Sequence, residues 1–272
     1  MPPASLGVAR WILVALIVLP FAKPHLERDW TELKRRPGIM LLLATTGGAA
    51  FATLQFVALQ YTTALNMGVV GSVAPAFIVA ASWLLFRDRL STLQLTGVLI
   101  SLSGVLVIVS RLDPARLASL SFNAGDLIIL ANMMFWAVYS ACLRLRPSIH
   151  PMTFMLAMAA IAGLCNLPFA AAEYAYEYRL QGTGLTLLAL LYSALITTLL
   201  AYFAWSKGID IVGAPRASAF LHTIPVFSAI LATTILGERI ELFHIIGFAL
   251  ILGGVTLAAR PSAKQKAEAQ TS

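Results

Sequence analysis

Phe86 to Ser110 reads FRDRLSTLQLTGVLISLSGVLVIVS, and Leu236 to Arg260 reads LGERIELFHIIGFALILGGVTLAAR. The two stretches align without a gap. Asp88 falls on Glu238, Arg89 on Arg239, Gly97 on Gly247 and Gly104 on Gly254. Carried backward in the same register, Pro75 falls on Pro225 and Ala64 on Ala214, and Leu19-Pro20-Phe21-Ala22 returns as Leu167-Pro168-Phe169-Ala170. The chain is thus two copies of one plan, and a repeat on this scale decides architecture ahead of any local reading.

Composition says what solvent the copies fold in. Of 272 residues, 59% are hydrophobic and only 11% are charged, and the mean hydropathy is +0.84. A soluble domain carries about a quarter charged residues, so this chain is read as an all-α integral membrane protein. Nine mostly apolar runs are each near the ~20 residues a bilayer core requires. They cover roughly 4–21, 38–60, 64–86, 92–111, 124–146, 151–172, 184–206, 214–236 and 241–260. The first lacks the charged start and cleavage site of a signal peptide and is read as a span. The two cysteines, Cys142 and Cys165, lie in apolar runs and suggest neither a disulfide nor a metal site. The formal charge of +7 requires no nucleic acid; basic residues beside spans follow the positive-inside tendency.

That tendency orients the chain. With the C-terminus in the cytoplasm, fourteen of the nineteen Lys and Arg residues lie in inner segments and four in outer ones, with Arg10 inside the first run. The turn at Arg87-Asp88-Arg89 is then inside, and its copy near Glu238-Arg239 is outside. The halves are inverted, a design typical of secondary transporters with substrate sites near the midplane between the repeats. The division is 1–111 for the first repeat, 112–260 for the second and 261–272 for a polar cytoplasmic tail read as disordered.

The run ALQYTTA, then Pro75, then FRDRLSTLQLTGVLISLSGVLVI resembles the EamA repeat of the drug/metabolite transporter superfamily. The second copy, with Pro225, Gly237-Glu238-Arg239 and the Gly247/Gly254 span, resembles it more closely; the first has Arg87-Asp88 where the second has Gly237-Glu238. The resemblance implies a ten-span carrier of a small organic metabolite such as an amino acid, usually an exporter, in the bacterial inner membrane. It leaves a homodimer open.

No HExxH, Cys-x-x-Cys, Gly-x-Ser-x-Gly or P-loop pattern occurs. The reading is therefore no enzyme, no cofactor and no ATP drive; the energy source would be an ion gradient, a proton included, an exchange partner or the substrate's own gradient. The candidates for a site are polar and aromatic groups inside spans, which are costly there and functional by default. Arg10 is read either as an anchor for a carboxylate or as a side chain that snorkels to the interface; its repeat mate is Met158. Ser218, His222 and Pro225 fall at i, i+4 and i+7, as do their mates Gly68, Ser72 and Pro75. That spacing makes one helix face, either a cavity wall in which His222 binds substrate or carries a proton, or a helix contact. Pro75 and Pro225 should kink their spans, as gates or as shape. Asn132, Trp136 and Tyr139 recur at the same helical spacing, with Tyr202 and Trp205 on another span and Gln55 as the repeat mate of Trp205. These are read as cavity walls against the alternative of interfacial belt residues. The two Gly pairs are read as close helix packing.

Taken together, these features read as an alternating-access carrier with Arg10 as its positive point. The rival is a non-transporting membrane protein, an enzyme or assembly subunit, in which these residues only bridge helices. One further expectation concerns span number. The second half has five runs and the first only four, because nothing in the first half matches Asn123–Arg146. Nine of ten spans are therefore expected, with an open wall where the mate of that run would pack.

Overall fold

A computed structural model describes residues 2–62, 67, 70–113, 115, 123–176, 182–236 and 241–260, without the side chains of 228, 229, 232, 233, 235 and 236. The Gly237-Glu238-Arg239 turn, Gly68 and the polar tail lie outside the described residues. Within them the chain is helical, and no strand occurs. Helix α1 spans Pro3–Arg35. Helix α2 spans Pro37–Ala58, α3 Ala74–Phe86 and α4 Thr92–Ser110. Helix α5 spans Ala124–Leu145, α6 Pro151–Ala175 and α7 Gly184–Val212. Helix α8 comprises Ala214–Ala219, a tight turn Phe220–Thr223 and Ile224–Leu236. Helix α9 spans Leu242–Ala258. The nine runs therefore return as nine helical segments among the described residues. Six are long and apolar enough to cross a membrane unbroken, with α3 and α9 shorter.

Local chemistry explains the boundaries. Pro3, Pro37 and Pro151 each sit in the first turn of their helix, where a missing N–H costs nothing. Helix α4 starts on a capping box of Ser91 and Gln94, and α5 on one of Asn123 and Asp126. Asp126 also accepts the Thr62 hydroxyl at 2.6 Å, tying the start of α5 to the end of α2. The Glu173 carboxylate accepts the Ala4 and Ser5 amides at the start of α1, each at 2.7 Å.

Helix α1 outruns its apolar stretch. Lys23 to Pro37 reads as a polar connection, yet the helix continues to Arg35. Asp29 explains the extension: it is buried and accepts the His150 amide at 2.9 Å, at the start of α6. Burial alone would raise its pKa, but the His150 amide, the facing Thr153 hydroxyl and Arg28 hold the carboxyl below its ordinary value.

Two features repeat. Ala44–Ala50 in α2 and Ser193–Leu200 in α7 are π-helical, and the repeat register lays one on the other. In each, a threonine hydroxyl turns back onto its own helix: Thr46 to Leu42 O at 2.6 Å, and Thr198 to Ser193 O at 2.8 Å. The second feature is a break before each proline. Residues 72 and 73 form a turn ahead of α3, and Phe220–Thr223 a 3-10 turn within α8. Pro75 and Pro225 then stand in the first turn of the helix that follows. A proline cannot donate to the preceding turn, so each span is interrupted there.

The two repeats meet along α4 and α9. A Cβ on Gly97 would lie 2.6 Å from Gly254 O, and one on Gly254 2.6 Å from Gly97 O. A Cβ on Gly104 would lie 2.7 Å from Gly247 O, and one on Gly247 3.0 Å from Gly104 O. Because Gly97 is the mate of Gly247 and Gly104 of Gly254, these contacts are reciprocal, as a twofold relation between inverted halves requires.

The outer wall is unequal. Helix α5 packs on α2 and α3, whose repeat mates are α7 and α8. Buried residues make up 44% of the most apolar stretch of Pro37–Ala58, against 17% for Gly184–Val212. Leu185, Leu188, Tyr192 and Leu200 are all more than half exposed. Among the described residues α7 is therefore the barer of the two repeat mates.

Candidate functional site

Between the repeats lies a cluster of rings drawn from four helices. Trp11 of α1, Phe51 of α2, Trp136 and Tyr139 of α5, and Tyr202 and Trp205 of α7 pack on one another. Trp136 is the hub, with ring centroids 4.3 Å from Phe51, 5.2 Å from Tyr139, 5.8 Å from Tyr202 and 5.6 Å from Trp205. Trp11 meets Tyr202 edge-on at 6.1 Å.

The π-helical stretch of α2 makes this packing possible. Its Gly47 lies against Tyr139, where a Cβ would come within 2.7 Å of the ring. The Gly47 carbonyl accepts the Tyr202 hydroxyl. A π-bulge displaces backbone groups from their regular partners, a reason such bulges recur at functional sites.

Arg10 stands at the rim of this cluster. It is 7% exposed, with its guanidinium 5.2 Å from the Trp11 ring centroid and 5.8 Å from that of Phe56. Its Nε and Nη2 atoms are buried without a hydrogen-bond partner. Asn132, one turn before Trp136, is 1% exposed, and neither atom of its amide is bonded. The Tyr139 hydroxyl faces Ser206 without a hydrogen bond of ordinary geometry. Buried polar groups are nearly always partnered. An unpaired guanidinium is especially costly. This grouping can therefore receive a ligand that supplies acceptors to Arg10, both donors and acceptors to Asn132, and a face for the rings.

The structure brings together Arg10, Trp136, Tyr139 and Tyr202, with Trp205 at the edge, where its indole N–H donates to Ser140 Oγ at 3.1 Å. Gln55 is half-buried, one turn beyond Phe51. His222 goes elsewhere. Its Nδ1 lies 2.5 Å from Ser101 Oγ on α4 and its Nε2 3.2 Å from Ser72 O, in the break ahead of α3. His222 and Ser72 are repeat mates, so this contact joins the two interrupted helices across the centre of the molecule. Ser218 is fully buried and its hydroxyl returns to Pro215 O at 2.8 Å. The i, i+4, i+7 spacing of Ser218, His222 and Pro225 does not make one continuous α-helical face, because the 3-10 turn changes the rotation per residue. Pro75 is buried and Pro225 half-buried at their helix starts.

Trp11 and Phe51 were not singled out from the sequence. Trp11 is adjacent to Arg10 and four residues after Gly7, and Phe51 is four residues before Gln55; that spacing was the available signal.

Two cavities lie outside the cluster, and neither is lined by one of its rings or by Arg10. One, about 270 Å³, lies at the end of α5 and α7 among Arg146, Phe154, Phe203, Ser206, Lys207 and Asp210. The other, about 740 Å³ and apolar, opens sideways between α2 and α6 beside Thr53, Asn166 and Phe169. No group of three or more metal-ligating side chains occurs among the described residues.

The model of the EamA-like transporter family matches residues 1–110 and 123–260. The uncharacterized transporter YetK of Bacillus subtilis is 28% identical over 99% of this chain and 83% of its own. The uncharacterized inner membrane transporter YicL of Salmonella typhimurium is 27% identical over 96% of this chain and 86% of its own. A protein of the same organism named a probable amino-acid metabolite efflux pump is 25% identical over 94% of this chain and 85% of its own. A solved crystal structure superposes with a TM-score of 0.73 at 22% identity, over 98% of this chain and 90% of that one, which is a likeness of fold.

Proposed function

The chain belongs to the EamA-like transporter family and is a multi-pass membrane transporter, and on that premise we propose that it is a secondary carrier that exports a small carboxylate-bearing metabolite of the amino-acid class. The C-terminus is cytoplasmic in this reading, by the distribution of Lys and Arg. Arg10 holds the carboxylate, Asn132 bonds a second polar group, and the Trp136, Tyr139 and Tyr202 rings enclose the remainder. The observation that carries the reading is Arg10: a guanidinium inside a membrane protein, buried with two nitrogens unbonded, is expensive unless a ligand completes it. Export follows the direction named for one relative.

Alternating access uses the inverted halves. The rings separate on one side to admit the substrate and close behind it, and the mirrored movement releases it on the other side. His222 has no substrate role here, since both its nitrogens already have protein partners. The reading is tested in proteoliposomes with a panel of radiolabelled amino acids. A member of the panel should be moved by the wild type, and Arg10→Ala should lose that transport while remaining folded. Arg10→Lys should recover only part of it, because lysine keeps the charge without the planar fork. Full transport by folded Arg10→Ala removes Arg10 from the site.

A further inference from the structure

We propose that the 270 Å³ cavity at the cytoplasmic ends of α5 and α7 is a separate first binding site for α-amino-acid zwitterions, and that the Arg146–Asp210 ion pair opens to receive them. The proposal rests on the carrier reading above.

The cavity contains complementary charges at short range. Arg146 Nη2 lies 2.7 Å from Asp210 Oδ2, with the two side chains 30% and 41% exposed. Lys207 lines the same space. A half-exposed pair of this kind is weak, because water competes for both partners. A zwitterion offers each partner a replacement: its carboxylate takes the place of Asp210 on Arg146, and its ammonium takes the place of Arg146 on Asp210. One pair becomes two, and neither Arg146 nor Asp210 is left without a counterion. A ligand with only one of these groups separates the pair and leaves one protein charge unmatched, which is the basis for selection.

Size and position agree. At about 30 Å³ per water, 270 Å³ is the space of roughly nine waters, right for an amino acid and small for a peptide. Phe154 and Phe203 give an apolar wall for the side chain. Ser206 lines the cavity and faces Tyr139, and it lies one helical turn beyond Tyr202. Ser206 thus lies about one turn, ~5.4 Å, from the aromatic cluster, and Asp210 about two turns, ~11 Å. A natural control is at hand: Arg144 pairs with Asp88 in the turn after α3, at the same end of α5, but neither residue lines the cavity.

The test uses the full chain in detergent with three probes: L-phenylalanine, phenethylamine, which lacks the carboxylate, and 3-phenylpropionate, which lacks the ammonium. Thermal stability and intrinsic fluorescence of the five tryptophans report binding. L-Phenylalanine should raise the melting temperature, and each truncated probe should bind at least about tenfold more weakly, the scale of an orphaned charge. Arg146→Gln and Asp210→Asn should each weaken L-phenylalanine by a similar factor, while Asp88→Asn should stay within about twofold. Equal binding of the truncated probes to the wild type overturns the proposal without any variant, as does no binding of L-phenylalanine. So does binding unchanged in both variants. Proteoliposome uptake separates this from the carrier reading. Wild-type protein that binds L-phenylalanine with this selectivity but moves no amino acid sinks the carrier and leaves the cavity standing. Amino-acid transport with an unaltered KM in both variants does the reverse.

Discussion

Arg10 and His222 are both buried cationic-type side chains in a membrane protein, and their surroundings are built on opposite rules. Around His222 the protein provides for every polar atom: Ser101 on one ring nitrogen, Ser72 O on the other, small residues crossing beside them. Around Arg10 it provides rings and leaves Nε and Nη2 bare. A buried polar group with its partners is part of the scaffold. One without them is, on the proposed reading, a half-made contact that a ligand would complete. The difference separates the proposed site from its frame more sharply than burial does, since both residues are almost inaccessible.

The largest effect should come from breaking the frame. Gly97→Val places a Cβ against the backbone of α9, which cannot rotate away, so overpacking should exceed the usual ~1–3 kcal/mol. The expected outcome is loss of the folded peak in size-exclusion chromatography. A well-folded Gly97→Val protein would show that α4 and α9 can separate without harm.

Next come two substitutions with opposite signs. Arg10→Ala should lower transport roughly 10- to 100-fold, the equivalent of the ~1.5–3 kcal/mol of a hydrogen bond to a charged group. Its melting temperature should stay level or rise, because an uncompensated charge is gone. His222→Leu should lower stability by about 2 kcal/mol, the cost of leaving buried groups unsatisfied, while the folded fraction keeps its affinity and pH profile. A shifted pH profile in His222→Leu would move His222 into the transport path. A destabilised Arg10→Ala would make Arg10 scaffold.

Tyr202→Phe tests the boundary between the two rules. It removes only the bond to Gly47 O, so a loss of about 1 kcal/mol is expected, with substrate affinity changed less than tenfold. The smallest effect lies outside both regions. The depressed pKa of Asp29 means its contribution is present above the unfolded value near pH 4 and lost as pH falls through the lower folded value. Asp29→Asn should reduce stability at pH 7 by about 1 kcal/mol and flatten the acid limb of the unfolding curve. An unchanged acid limb would remove Asp29 from the account.

The helices were legible because the bilayer imposes a length and the repeat supplied a second copy of every boundary. The interruptions at Pro75 and Pro225 were legible for the same kind of reason, a missing N–H. The gathering of Trp136, Tyr139 and Tyr202 followed from spacing along α5 and α7. The destination of His222 did not, because its face was counted in α-helical steps and the Phe220–Thr223 turn is wound more tightly. The π-helical stretches were not legible either. Nothing in ATTGGAA or SALITTLL carries a propensity for an i+5 bond; in α2 the widened stretch is the one whose Gly47 meets Tyr139 and Tyr202. Nor does a polar run such as Lys23–Arg35 reveal that one buried aspartate will keep it helical.

The reciprocal glycines have a mechanical consequence. All four lie close to a neighbour's backbone, Gly247 with the Ile108 side chain nearer still, so little deformable side chain separates α4 from α9. Sliding one past the other would bring the residues that flank these glycines, Val98, Val105 and Ile246 among them, against the opposing backbone. Rotation about the point of crossing meets no such obstacle, because the four positions sit symmetrically around it. Any rocking of the two repeats against each other therefore has its fulcrum there.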